Sequence, residues 1–381
     1  MSVLKRAIVT LAAAGTVSTL TLAAASGASA QNNPPKPFIS NFTVTQGPST
    51  VPAPPASADV NPYGVAVVPT SHGALHQGDV LVSNFNNSSN AQGTGTTIVQ
   101  VSPGGTVTLF AQIDPNTLPG PCPGGVGLTT ALVVLRSGWV IVGSLPTSDG
   151  TSATAQAGCL IVLDSSGTVQ ETFSGDGING PWDMTALDGG RLADLFVTNV
   201  LNGTVAAGGG VVNGGTVLRL HLVIRGGSPP RLAAVTKIGS SFAERTDPAA
   251  LVVGPTGVGL GADHTLYVAD TVNSRIAAIP DAVRRFGSAG DGTTINQGGA
   301  LKGPLGLAIA PGGDILTVNS INGKIVETTP SGKQVAVATL DNTVVQGAPN
   351  GNGTLFGLAV APGGTGVYFV DDGSNQLNFF G

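Results

Sequence analysis

The chain has little charge, few aromatic residues and almost no cysteine. Only 10% of its 381 residues are charged, 4% are aromatic and two are cysteine. The 16 Lys and Arg residues are too few to favour nucleic acid as a partner, because binding a phosphate backbone needs concentrated positive charge. After the first 30 residues, no apolar run approaches the roughly 18 residues needed to span a membrane. We therefore predict no transmembrane segment after residue 30.

Glycine and proline are abundant, with 57 and 26 residues respectively. Both are the poorest helix formers, so long helices are disfavoured. The apolar residues are mostly Val, Ala, Leu and Ile in short clusters, a pattern typical of short strands joined by tight turns. The positive mean hydropathy argues against general disorder. The composition therefore predicts an all-β protein.

Residues 1–30 have the pattern of a secretory signal peptide. Lys5 and Arg6 precede an apolar stretch over 7–25, and Ala28-Ser29-Ala30 forms a small-x-small cleavage site. A transmembrane anchor is the alternative, which the interrupting Thr, Ser and Gly residues disfavour. Cleavage leaves 14 basic and 21 acidic residues and a net charge of −7. We predict export through the inner membrane to the periplasm or the extracellular space.

The two cysteines, Cys122 and Cys159, are predicted to form one disulfide in an exported protein. The bridge spans 37 positions, and closing such a loop stabilises a protein by about 2–4 kcal/mol. Two buried free thiols are the alternative. A metal-binding pair is disfavoured, because no Cys-x-x-Cys motif or His cluster accompanies the cysteines.

A repeated pattern occurs six times along the chain. A first apolar run is followed, about ten to fifteen residues later, by a second run that ends in a small polar residue. The first runs occupy 62–67, 129–134, 181–186, 248–253, 304–309 and 355–360. The second runs occupy 79–84, 139–144, 194–199, 265–270, 314–319 and 366–371. A unit repeated about every fifty residues indicates stacked supersecondary structure.

Glycine-containing turns after each run predict antiparallel meanders of four strands. Six such units predict a six-bladed β-propeller over residues 59–381, preceded by a Pro-rich segment over 31–58. The last unit contains only three strands. We expect a strand over 38–44 to complete it, because this pairing would close the ring and hide a sheet edge.

Two stretches carry a family resemblance. The sequence from Leu266 to Ile276 reads Leu-Tyr-Val-Ala-Asp-Thr-Val-Asn-Ser-Arg-Ile, and 287–314 forms a Gly-rich linker followed by a first run. Both stretches resemble NHL-repeat propellers. The resemblance is good in the fourth and fifth units and degraded in the second and third. It implies a propeller scaffold, and a scaffold does not define a function.

A polar residue ends each of the six second runs. The series is Asn84, Ser144, Asn199, Asp270, Asn319 and Asp371. One hypothesis makes it a ring of metal or ligand contacts. The favoured interpretation is that these side chains accept hydrogen bonds from the amides of the following turn.

In a propeller the first strand of each unit lines the central channel, so residues at its start converge. One layer would contain Tyr63, Thr129, Trp182, Ala249, Leu305 and Phe356. The next would contain Gly64, Thr130, Asp183, Ala250, Gly306 and Gly357. We predict a ligand site at the channel mouth, because apolar pockets with one placed polar group bind small ligands. Its residues would be Tyr63, Thr130, Trp182, Asp183 and Phe356. The alternative is that the aromatic residues plug the mouth and Asp183 caps a turn.

Enzymatic propellers offer a comparison for these residues. Lyases similar to this scaffold use His and acidic residues around a metal, and lactonases use Glu, Asn and Asp on one divalent ion. The four histidines fall outside the predicted inner strands: His72, His76, His221 and His264. Serine-elbow, zincin and P-loop motifs are also absent. We therefore assign no catalytic residue, no metal ligand and no cofactor, with structural calcium kept as an alternative.

The main functional hypothesis is a monomeric, exported, non-enzymatic scaffold that binds a protein or a small molecule. The alternative is a propeller lyase or lactonase with its active site in the central channel. A third hypothesis is a structural envelope protein without a small ligand.

Overall fold

A computed structural model describes residues 36–381. The predicted signal peptide over 1–30 lies outside the described residues. Within them, no helix is long and apolar enough to cross a membrane. The helical elements are two short 3-10 turns, Ser152–Thr154 and Pro362–Gly364.

The strands form six antiparallel sheets, named here blades I to VI in chain order. The first strand of the chain, β1 (Val44–Thr45), belongs to the last blade. Blade I contains β2 (Val60–Val67), β3 (Val80–Asn86), β4 (Thr97–Val101) and β5 (Val107–Gln112). Blade II contains β6 (Leu128–Val134), β7 (Val140–Ser144), β8 (Leu160–Leu163) and β9 (Val169–Phe173). Blade III contains β10 (Pro181–Asp188), β11 (Leu192–Asn199), β12 (Val212–Val223), β13 (Arg231–Asp247) and the additional β14 (Leu251–Val253).

Blade IV contains β15 (Pro255–Leu260), β16 (Leu266–Asp270), β17 (Arg275–Ile279) and β18 (Thr293–Gln297). Blade V contains β19 (Pro304–Ile309), β20 (Ile315–Asn319), β21 (Lys324–Thr328) and β22 (Gln334–Thr339). Blade VI contains β23 (Leu355–Val360), β24 (Val367–Asp371), β25 (Gln376–Phe380) and β1. The predicted six-bladed β-propeller is confirmed.

The first strands of the blades surround the central channel and contact one another in sequence order around a closed ring. Glycines let these strands approach closely. A Cβ on Gly257, Gly306 or Gly357 would lie 2.0–2.1 Å from a carbonyl oxygen of the next inner strand. A larger residue at these positions would push neighbouring blades apart, which explains why glycine recurs there.

The chain ends close the ring as expected, but the closing strand is shorter than predicted. β1 pairs with β25, where Val44 lies opposite Phe380. Residues 38–41 form a turn instead of a strand. The carboxylate of Glu327 accepts the backbone N–H groups of Phe38 at 2.7 Å and Ile39 at 3.0 Å. This contact with the neighbouring blade V holds the segment in a turn and leaves only two residues for pairing.

The prediction of the fourth inner strand over 248–253 is wrong. The inner strand of blade IV is β15, so Thr256 and Gly257 occupy the layers that we assigned to Ala249 and Ala250. The carboxylate of Asp247 accepts the amides of Ala249 and Ala250. It thereby turns the chain, and β14 pairs back onto β13.

The core lies between neighbouring blades as a set of apolar clusters. Between blades III and IV, for example, Phe196 and Phe242 pack with Val258 and Leu266. Cys122 and Cys159 form the predicted disulfide. It joins the segment between blades I and II to the start of β8.

Candidate functional site

Three aromatic residues of the predicted site meet at one end of the channel. The ring centroids of Tyr63 and Phe356 are 3.9 Å apart, and those of Trp182 and Phe356 are 6.4 Å apart. Phe85 also stacks on Tyr63, with their ring centroids 4.4 Å apart. Each of the three predicted residues is at most 2% exposed. This aromatic layer fills its end of the channel.

The segment 248–253 covers the aromatic layer. The indole Nε1 of Trp182 donates to the carbonyl of Val252 at 2.9 Å, and the Tyr63 hydroxyl donates to the carbonyl of Ala249 at 3.4 Å. Burial raises the pKa of Tyr63 well above its ordinary value, so the phenol stays neutral. The covering segment and the aromatic layer together close this end.

A cavity of about 520 Å³ occupies the rest of the channel. It opens at the opposite end, where turns join the first and second strands of the blades. All six inner strands contribute aliphatic walls, with Val65, Leu132, Met184, Val258, Leu307 and Leu358 near the closed end. Each inner strand is also the edge of its sheet, so backbone groups without a sheet partner line the channel.

The structure places the five predicted site residues in three different locations. Asp183 lines the cavity, whereas Tyr63, Trp182 and Phe356 lie in the aromatic layer beyond its closed end. Thr130 is buried outside the cavity lining, and its hydroxyl has no hydrogen-bond partner within the described chain.

Asp183 is 8% exposed and is held by two blades. Its Oδ1 accepts the N–H of Met184 at 2.8 Å, and its Oδ2 accepts the N–H of Val258 from blade IV at 3.2 Å. Burial raises the pKa of this carboxyl to about 8, although both amides act to lower it. Asp183 is therefore mainly a neutral acid at pH 7 and can donate a proton inside the cavity.

The open end carries a second polar group that the sequence reasoning missed. Arg136 lines the cavity mouth. Its backbone N–H donates to Oδ2 of Asp188 at 2.6 Å, and its carbonyl lies 2.8 Å from Nε2 of His72. A signal was present in the sequence, because only the first turns of units two and three contain Lys or Arg, namely Arg136 and Arg191.

The channel does not fit the divalent ion that lactonase propellers use. Asp183 and Asp188 are the carboxylates that line the cavity. Each accepts two backbone amides, which for Asp188 come from Arg136 and Gly190. Across residues 36–381, no group of three or more His, Cys, Asp or Glu side chains is placed to hold a metal.

The polar series at the ends of the second strands serves the fold. Asp270 Oδ1 accepts the amide of Asn273, and Asp371 Oδ1 accepts that of Ser374, which confirms turn chemistry at these two positions. Asn199 and Asn319 instead accept amides from the segments that link blades. These contacts occupy the side chains with backbone groups.

The fold is similar to several solved structures. A streptogramin B lyase structure has a TM-score of 0.51 and 14% identity, covering 89% of this chain and 97% of its own. A gluconolactonase from Xanthomonas campestris has a TM-score of 0.54 and 12% identity, covering 91% and 96%. Regucalcin from Agrobacterium tumefaciens, a calcium-binding protein, has a TM-score of 0.55 and 13% identity, covering 89% and 96%. No protein-family model matches the sequence, and no curated protein is similar to it.

These similarities correct the main functional hypothesis. A non-enzymatic scaffold was expected, but a lyase and a gluconolactonase share this architecture over nearly the whole described chain. The finding overturns the expectation that the chain is not an enzyme and favours the alternative, a lyase or lactonase. At 12–14% identity the likeness establishes the fold alone.

Proposed function

We propose that the chain is an enzyme that cleaves an ester bond, linear or cyclic, in the central channel. The proposal depends on the position and protonation of Asp183. This residue is a neutral carboxylic acid at the closed end of a cavity of about 520 Å³. Such a group suits general acid catalysis, because its pKa of about 8 lies near the operating pH.

The proposed reaction uses Asp183 and water. Water adds to the ester carbonyl, the bond between the carbonyl carbon and the leaving oxygen breaks, and Asp183 donates its proton to that oxygen. The proton lost by the attacking water restores Asp183, so the net products are a carboxylic acid and an alcohol. Backbone N–H groups at the channel edges of the inner strands would stabilise the negative carbonyl oxygen.

The first experiment measures the cleavage of ethyl octanoate and of five- and six-membered lactones by the purified protein. Asp183→Asn should lower kcat for ethyl octanoate by about 10²–10⁴, the usual contribution of a general acid. The exposed residue Asp114 provides a matched control, and Asp114→Asn should retain full activity. Equal activity of the Asp183→Asn variant and the wild type would rule out this role.

A second substrate sharpens the test. 4-Nitrophenolate leaves without prior protonation, so Asp183→Asn should impair 4-nitrophenyl octanoate far less than ethyl octanoate. An equal loss on both esters would indicate a structural defect instead of missing proton donation.

Elimination is the competing way to cleave the ester, since the architecture also occurs in a lyase. It would break the bond between the ester oxygen and the alkyl carbon and give a carboxylic acid and an alkene. Reaction in ¹⁸O-labelled water separates the two. Hydrolysis places the label in the carboxylic acid product, whereas elimination leaves both products unlabelled.

We also propose that residues 1–30 direct export and that the mature NHL-like protein begins at Gln31, with 31–58 preceding the propeller over 59–381. The disulfide between Cys122 and Cys159 supports this, because such bonds persist in oxidising compartments. N-terminal sequencing of the protein from periplasmic and culture fractions tests it. An intact Met1 would contradict the proposal.

A further inference from the structure

We infer that the substrate carries an anionic group and that Arg136 holds this group at the channel mouth while the ester lies beside Asp183. This inference rests on the proposed function and specifies its substrate class. The substrate would be an ester or lactone with a carboxylate at the far end of a mainly apolar chain.

The backbone of Arg136 is fixed from both sides of its blade. Asp188 of blade III accepts its N–H at 2.6 Å, and the His72 ring of blade I lies 2.8 Å from its carbonyl oxygen. These contacts use only backbone atoms of Arg136. They position the residue at the mouth and leave the guanidinium available to a ligand.

The guanidinium of Arg136 has no ion-pair partner in residues 36–381. The ion pairs within 4.0 Å there involve His221, Arg245 and Arg275. Arg219 is also engaged, because it donates to the carbonyls of Ala282 and Val283. Among the described residues that line the cavity, Arg136 is the one basic side chain.

Arg136 is the group of the cavity that can pair with an anion, because the carboxyl groups around it are otherwise occupied. Asp183 is mainly neutral at pH 7 because burial raises its pKa to about 8. Asp188 is the other carboxylate of the cavity, and both its oxygens accept backbone amides from Arg136 and Gly190. A guanidinium binds a carboxylate through two parallel hydrogen bonds, a geometry that lysine does not reproduce.

The length of the cavity sets the shape of the ligand. Asp183 and Asp188 lie five positions apart on β10, and an extended strand rises about 3.3 Å per residue, so these two backbone positions are about 16 Å apart. A ligand that reaches both Asp183 and Arg136 must therefore be elongated. The aliphatic walls between them suit a hydrocarbon chain.

Two esters of equal chain length test whether Arg136 binds the carboxylate of the substrate (the Arg136 anchor). Ethyl hydrogen suberate carries a terminal carboxylate, and ethyl octanoate ends in a methyl group. The wild type should prefer the suberate ester at least tenfold in kcat/KM. Arg136→Gln should reduce this preference to near one by raising KM for the suberate ester, and Arg136→Lys should retain part of it.

Arg284→Gln is the matched control, because Arg284 lies outside the channel cavity. It should leave the preference unchanged, and thermal melting should show that all variants fold. An unchanged preference in Arg136→Gln would overturn the inference while leaving the proposed function intact.

If the wild type cleaves neither ester, the proposed function fails and the anchor is tested separately by calorimetry. Suberate should bind the wild type at least tenfold more tightly than Arg136→Gln. Equal affinities would overturn the anchor itself.

Discussion

At the scale of single residues, two inner strands depart from the repeat at one position, with Thr130 on β6 and Asp183 on β10. Four inner strands have glycine at the position that Asp183 occupies on β10. Those glycines allow close approach of neighbouring strands, as at Gly306 and Gly357. Asp183 instead links two blades through the amides of Met184 and Val258. Asp183 is the one of these two residues that lines the cavity.

Stability should depend on pH through Asp183. Its pKa is raised to about 8 in the folded state, compared with about 3.9 in an unfolded chain. The contribution of Asp183 to the free energy of unfolding is complete below about pH 4. It decreases by roughly 1.4 kcal/mol per pH unit between these two pKa values and is lost above about pH 8. Between about pH 5 and about pH 8, the wild type should therefore lose more stability than Asp183→Asn.

Urea denaturation of both proteins across this range measures the effect. Glu244 and Asp372 also have pKa values raised by burial, each to about 7. They are common to both proteins and cancel in the difference. If the free energies of unfolding of the two proteins change with pH in parallel, Asp183 does not titrate as described.

At the scale of elements, strand spacing was readable from sequence because each strand follows its own local pattern. The second run over 314–319 matches β20 to within one residue. The fourth inner strand was misassigned because Pro248 and Pro255 both precede apolar runs. The choice between them depends on packing, since only β15 places a glycine, Gly257, against the carbonyl of Leu305. The short β1 similarly depends on the distant Glu327.

Removal of the closing element should destabilise the ring. A chain that begins at residue 47 loses the β1–β25 pairing and the packing of Ile39, which is 3% exposed. Burying such a side chain contributes about 1.5–3 kcal/mol. The truncated chain should therefore unfold at lower urea concentration than a control that begins at residue 37. Coincident unfolding curves would mean that β1 does not secure the last blade.

At the scale of the whole molecule, the two ends of the channel differ. The aromatic layer of Tyr63, Trp182 and Phe356 closes one end beneath the segment 248–253. The sequence placed these aromatics together but could not show whether they line or fill the mouth, because the covering segment folds back from blade III. The cavity beside Asp183 therefore opens at the end that carries Arg136. The substrate was not readable from the sequence, because a scaffold repeat specifies the fold and not the ligand.

The pH dependence of kcat/KM for ethyl hydrogen suberate tests most directly whether Asp183 is the proton donor of a channel active site. If Asp183 donates the proton, kcat/KM should be constant below its pKa and should fall above about pH 8 with the titration of one group. Asp183→Asn should have low activity without that fall. Activity that rises through this range, or a pH profile that the substitution leaves unchanged, would contradict this role of Asp183.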